Sequence, residues 1–110
     1  MSALYRMNYT GSHGGGFAVV YIGRGLILGM DQAKGHLRGT YVEEAGRLKG
    51  SITGTATEDN RLASGQSMQA GESTEIKIDW SADFADGSPQ PSWVMGDLVE
   101  VTFEKIGDIP

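Results

Sequence analysis

Apolar and polar residues alternate most cleanly between Glu75 and Phe84. Ile76, Ile78, Trp80, Ala82 and Phe84 occupy one parity; Glu75, Lys77, Asp79, Ser81 and Asp83 occupy the other. A period of two is that of a half-buried β-strand, whose side chains point to opposite faces in turn. The same rule sets Val99, Val101 and Phe103 against Glu100, Thr102 and Glu104 within Leu98 to Ile106. Over Arg47 to Thr57 it sets Leu48, Gly50, Ile52, Gly54 and Ala56 against Arg47, Lys49, Ser51, Thr53 and Thr55. His36 to Val42 and Ala3 to Tyr9 alternate likewise, with Leu37, Gly39 and Tyr41, then Tyr5, Met7 and Tyr9, on the apolar side. Turn signals separate the runs at Gly11 to Gly16, Gly23-Arg24-Gly25, Asp31 to Gly35, Ala45-Gly46, Glu58-Asp59-Asn60 and Asp86 to Pro89. Seven or eight short strands at this spacing predict an all-β antiparallel meander, closed into a barrel or folded into a sandwich.

One hairpin breaks the alternation. Phe17 to Ile22 is apolar or Tyr throughout, and Leu26-Ile27-Leu28 continues this after the Gly-Arg-Gly turn. Both faces of that hairpin must leave water. Either a short helix or loop covers the outer face, or two copies of the chain meet there. The only helix candidates are single turns around Arg61 to Ser64 or Ala82 to Asp86, so a homodimer seam is the preferred reading. Its candidate residues are Phe17, Val19, Val20, Tyr21, Ile22, Leu26, Ile27 and Leu28. Which parity faces outward is not fixed by the pattern. The inward parity also holds Gly39, Gly50 and Gly54. Such glycines either relieve crowding where strands coil sharply or leave a hollow. A hollow lined by Tyr41, Ile52, Trp80 and Phe103 would suit a small apolar ligand.

Composition narrows the class further. Seventeen of the 110 residues are Gly, about twice the ~7% usual for proteins, and Gly disfavours helix interiors by roughly 1 kcal/mol each. A helical bundle is therefore excluded, and 110 residues make one domain with one small core. There is no Cys, so neither disulfides nor thiolate metal sites arise. A net charge of −5 argues against direct nucleic-acid binding, which needs clustered Lys and Arg. No apolar stretch approaches membrane-spanning or signal-peptide length, which points to the cytoplasm and to no membrane partner.

Candidate chemistry is sparse. Ser12-His13-Gly14-Gly15-Gly16 contains the His-Gly-Gly-Gly string by which esterases donate N–H groups to an oxyanion, but no Gly-x-Ser-x-Gly nucleophile elbow accompanies it. A flexible turn is the simpler reading. No Walker A loop is present. Metal binding would have to combine His13, His36 and carboxylates such as Asp31, which lack ligand spacing. The acidic pairs Glu43-Glu44 and Glu58-Asp59 fall at turns and read as solvated charge. No catalytic constellation and no cofactor motif emerges.

The stretch from Gly14 to Glu44 carries a resemblance. A Gly-opened apolar strand, a tight turn, a second apolar strand ending in Gly-x-Asp, a polar loop and x-Gly-x-Tyr together resemble the GrlR family of negative regulators of type III secretion. The matching positions are Gly16, Gly25, Gly29, Asp31, Gly39 and Tyr41, and Leu4-Tyr5-Arg6-Met7 resembles that family's first strand. The likeness covers the first half; beyond Thr57 only the strand pattern agrees. It implies a lipocalin-like barrel of about eight strands, a homodimer, and action by binding a basic transcriptional activator rather than by catalysis. The family's acidic contact run falls in register on Glu43 and Glu44. Ala45-Gly46 follows where two more acids are expected, which halves the charge.

The expectation is thus a cytoplasmic, dimeric, single-domain barrel spanning residues 1–110 with at most one short helix. Its function is that of a non-catalytic regulatory interaction protein, with Glu43 and Glu44 as partner-binding residues. The alternative is a carrier of a small apolar ligand in the barrel lumen. A third reading is a cofactor-free enzyme using Asp or Tyr groups there.

Overall fold

The computed structural model describes residues 2–62 and 65–110. Its strands are β1 (Ser2–Gly11), β2 (Gly14–Gly23), β3 (Leu26–Asp31), β4 (His36–Glu44), β5 (Arg47–Thr55), β6 (Asn60–Arg61), β7 (Ser67–Met68), β8 (Ser73–Ser81), β9 (Gln90–Val94) and β10 (Asp97–Asp108). Eight of them form a closed antiparallel barrel in the order β1-β10-β9-β8-β5-β4-β3-β2, so the meander closes and the sandwich alternative falls. β6 and β7 pair only with each other, within the chain that runs from β5 to β8. Closure leaves little free sheet edge, since only the short β9 seam is incompletely paired, β8 meeting it over Ile76–Ile78 and β10 over Asp97–Val101.

Up-and-down order places alternate turns at opposite ends of the barrel. One end carries the β2–β3 turn at Arg24-Gly25, the β4–β5 turn at Ala45-Gly46 and the segment joining β8 to β9. Both two-residue turns have positive φ at each position (Arg24 53°, Gly25 79°; Ala45 53°, Gly46 76°). That left-handed pair matches the twist of the strands it joins, which is why Gly stands second in each. The other end carries the β1–β2, β3–β4 and β9–β10 turns and the long β5–β8 excursion.

The first end is packed shut. The strand predicted to run to Phe84 stops at Ser81; Ala82 turns outward and the chain continues as a 3₁₀ turn over Phe84–Asp86. Phe84 keeps its apolar parity by dropping back into the lumen as a plug, 1% exposed. It meets Tyr5 at 5.0 Å and Phe103 at 4.9 Å between ring centroids, and Trp80 meets Phe103 at 4.8 Å. Tilted and edge-on contacts at these spacings are the favoured aromatic geometry. The Trp80 indole N–H donates to the Pro91 carbonyl (3.1 Å) and to Ser92 Oγ (3.2 Å), so its polar edge is satisfied inside the core. The other predicted helical turn, Arg61 to Ser64, is not formed at Arg61, which lies in β6. Ala63 and Ser64 lie outside the described residues.

The inward glycines divide. A Cβ on Gly39 would strike the Ser51 carbonyl oxygen, and one on Gly50 the Thr40 carbonyl oxygen, so these two mark close strand approach. At Gly54 a Cβ would meet only Leu37 Cδ2 at 3.6 Å, Ile76 Cδ1 at 3.7 Å and Thr74 Cγ2 at 3.9 Å, ordinary contacts. Gly54 therefore leaves a hollow. Gly54→Ala is expected to be neutral or to stabilise by about 0.4–1 kcal/mol through the unfolded chain. Gly39→Ala is expected to cost roughly 1–3 kcal/mol by overpacking. Thermal denaturation of the two variants checks the order; the reverse order would contradict the register.

Candidate functional site

Two regions of the barrel stand out among the described residues: the outer face of β2 and β3, and the unplugged end of the lumen.

On the hairpin the structure fixes the parity. Ala18, Val20, Ile22 and Ile27 are 0% exposed and belong to the core. Val20, Ile22 and Ile27, expected in a seam, are therefore interior residues. Outward stand Phe17, Val19 and Tyr21 on β2 and Leu26, Leu28 and Met30 on β3. Val19 is 42% exposed, Leu28 41% and Met30 49%. Val19 lies opposite Met30 and Tyr21 opposite Leu28, which makes the six one continuous apolar stripe. Met30 is absent from the expected seam because Gly29 interrupts the apolar run after Leu28. No helix or loop among the described residues lies over it; the 3₁₀ turn plugs the lumen instead. Its cross-strand neighbours are Leu4, Arg6 and Asn8 on β1 and His36, Arg38 and Thr40 on β4, with no carboxylate among them. The Arg6 guanidinium sits 4.4 Å from the Phe17 ring centroid, a cation–π contact at the rim.

Glu43 and Glu44 are exposed at the end of β4, next to the Ala45-Gly46 turn. Arg47, directly across from Glu44, turns its guanidinium to Asp79 instead, with Nε donating to Oδ1 at 2.7 Å and Nη2 to the Asp79 carbonyl at 2.8 Å. Both carboxylates thus project at the packed end of the barrel, as a hairpin tip should.

At the other end the lumen opens into a cavity of about 190 Å³. Of the lining expected from sequence, Ile52 and Trp80 border it, whereas Tyr41 and Phe103 lie outside it in the packed half. Side-chain bulk is the reason: the aromatic cluster fills its half, and Gly54, Leu37 and Ile76 leave the other half partly empty. Tyr9, His13 and Asp31 reach the mouth, a convergence that sequence reading missed. Its signal was available, since alternate turns of a meander share one end.

The mouth is built by loop hydrogen bonds. Asp31 Oδ1 accepts from the N–H groups of Ala33 (2.9 Å) and Gly35 (2.8 Å), which holds the β3–β4 loop closed. Gln32 ties that loop to β2 by accepting from the Phe17 N–H at 3.1 Å. Burial, and secondarily the Asp31 carboxylate, pushes the Tyr9 phenol up to about 12. Tyr9 is therefore protonated at neutral pH and suited to donating a hydrogen bond. Ser92, part of the cavity wall, is engaged by Trp80. Buried side-chain polar atoms are all hydrogen-bonded among the described residues. No group of three His, Cys, Asp or Glu side chains among them converges as a metal site; His36 points outward from β4 and His13 lies in the β1–β2 turn. No helix among them is long and apolar enough to cross a membrane. Comparison with protein-family models, curated proteins and solved structures found no match, so site geometry and the sequence resemblance carry the functional reading.

Proposed function

We propose that the chain is a non-catalytic regulatory protein of the cytoplasm that acts through protein contact, in the manner of the GrlR regulators it resembles. The observation that carries this reading is the uncovered β2–β3 stripe from Phe17 to Met30. A contiguous apolar face on a small barrel marks a contact surface. A second copy of the chain fits it best. The stripe is flanked on both sides by paired strands and lacks the carboxylates that would make two molecules of net charge −5 repel at the seam. A two-fold contact sets the same stripe against itself. Glu43 and Glu44 lie at the β4–β5 hairpin tip, beyond the β4 residues that pair with the stripe, where a dimer would still present them to a basic activator.

The acidic pair gives the functional test. Surface charges act mainly by steering and matching, so their effect depends on salt. Glu43→Lys with Glu44→Lys is expected to shift stability by no more than about 0.5 kcal/mol. It is expected to abolish affinity capture, at native expression, of a basic regulatory protein that wild type retains at low salt and releases at high salt. A partner whose capture is indifferent to both charge reversal and salt would remove this pair from the site.

A further inference from the structure

The unplugged half of the lumen is a void that the sequence could have filled and does not. Gly54 faces it with room for a side chain, and Leu37, Ile52, Ile76 and Val101 supply apolar walls. A Gly in a strand interior weakens the strand, and a cavity removes packing contacts; both features here disfavour the fold. The side-chain polar atoms buried in the cavity wall have partners in the protein, Ser92 among them. The inner part of the cavity therefore offers a water few of the two to four bonds it needs, and the exposed polar groups stand at the mouth.

We propose that this cavity is a binding site for an uncharged, largely apolar small molecule of one or two rings, held by shape and apolar contact. Size sets the limit. Apolar cavities of about 150 Å³ stay dry and take up benzene, and this one is about 190 Å³. It is below the roughly 300 Å³ at which drug-sized ligands begin to fit, and far too narrow for a peptide strand. Met7 and Met68 are the adaptable parts of the wall, since unbranched thioether side chains re-pack around different shapes. The mouth carries both signs, Asp31 and Arg61, and so selects neither, while the apolar lumen disfavours any ion. A neutral ring with a single polar edge, such as an N–H or O–H turned toward Tyr9 and Asp31 at the mouth, fits this arrangement.

The β5–β8 excursion borders the mouth. Met68 on β7 is 4% exposed and closes the mouth from above. The excursion's described bonds to the barrel and within itself include Gln66 Nε2 to Asp97 Oδ2 at 2.6 Å, Thr57 Oγ1 to the Lys34 carbonyl at 2.9 Å and the Ala70 N–H to Asp59 Oδ1 at 2.9 Å.

Indole is the probe, and the proposal does not depend on the β2–β3 interface. Titrated to about 5 mM, indole is expected to bind the full-length protein saturably at one site per chain. It should move the methyl resonances of Leu37, Ile52 and Ile76 in a heteronuclear NMR spectrum and leave those of Val19, Leu26 and Leu28 in place. Gly54→Leu, whose side chain occupies the void, should bind at least about tenfold more weakly. Absence of saturable binding, equal binding by folded Gly54→Leu, or shifts confined to the outer stripe would overturn the site. Were Gly54→Leu to fail to fold, the wild-type methyl shifts alone decide between these results.

Discussion

Trp80→Ala is expected to destabilise the protein by roughly 3–5 kcal/mol, a large part of the roughly 5–15 kcal/mol that stabilises a domain. Trp80 is 1% exposed in β8 and packs on Phe103 and Phe84. Its removal takes away the ring contacts and leaves Ser92, 3% exposed, without its indole donor. It also merges the space of the side chain with the neighbouring cavity, which Trp80 borders, so the site cannot collapse around the loss. Trp80→Phe keeps a ring but gives up both hydrogen bonds, and should cost less than the alanine variant. Urea denaturation of the two variants checks the order. A Trp80→Ala protein within 1 kcal/mol or so of wild type would contradict the register of β8, because a one-residue slip reverses every face.

Val19 and Val20 are adjacent, alike in chemistry and opposite in consequence. Val20→Glu is expected to prevent folding. It places a carboxylate at a position 0% exposed, against Gly29 and the inner face of β1, where no cation waits. Val19→Glu adds the same charge to the outer stripe opposite Met30, at 42% exposure, and should leave the barrel intact. In a two-fold contact on this stripe both copies bury the added charge in the seam, so the subunits should separate. Circular dichroism distinguishes the folded from the unfolded variant, and sedimentation distinguishes one copy from two. A folded Val20→Glu would contradict the parity; a Val19→Glu protein that still associates would place the interface elsewhere.

Much of this fold is legible from period-two alternation alone. β1, β4, β5, β8 and β10 bury the parity that the pattern assigns, and Trp80 and Phe103 lie at its centre. β9 is not legible because its pattern is inverted: Gln90 and Ser92 face inward, while Pro91 and Trp93 face out. Those inward polar residues are placed by their bonds, Gln90 Oε1 accepting from the Ser81 N–H at 2.8 Å and Ser92 from Trp80. Phe84 extends the parity of β8 in sequence but reaches the core through a turn, which alternation cannot distinguish from a longer strand. The hairpin from Phe17 to Leu28 is apolar on both faces, so its inward side is decided by pairing with β1 and β4. The cavity was legible only in part. Ile52 and Tyr41 share one parity, and what separates them is which end of the barrel Phe84 fills. Tyr9 on β1, His13 in the β1–β2 turn and Asp31 at the end of β3 meet at one mouth through the meander order, which alternation within a single strand does not show.

The mass of the protein in solution tests the contact-based function most directly. Light scattering across a dilution series up to tens of micromolar is expected to show twice the chain mass of 11.7 kDa, falling to a single chain mass only for Val19→Glu. A wild-type protein that stays at 11.7 kDa throughout would contradict it, and the β2–β3 stripe would then be no seam between copies.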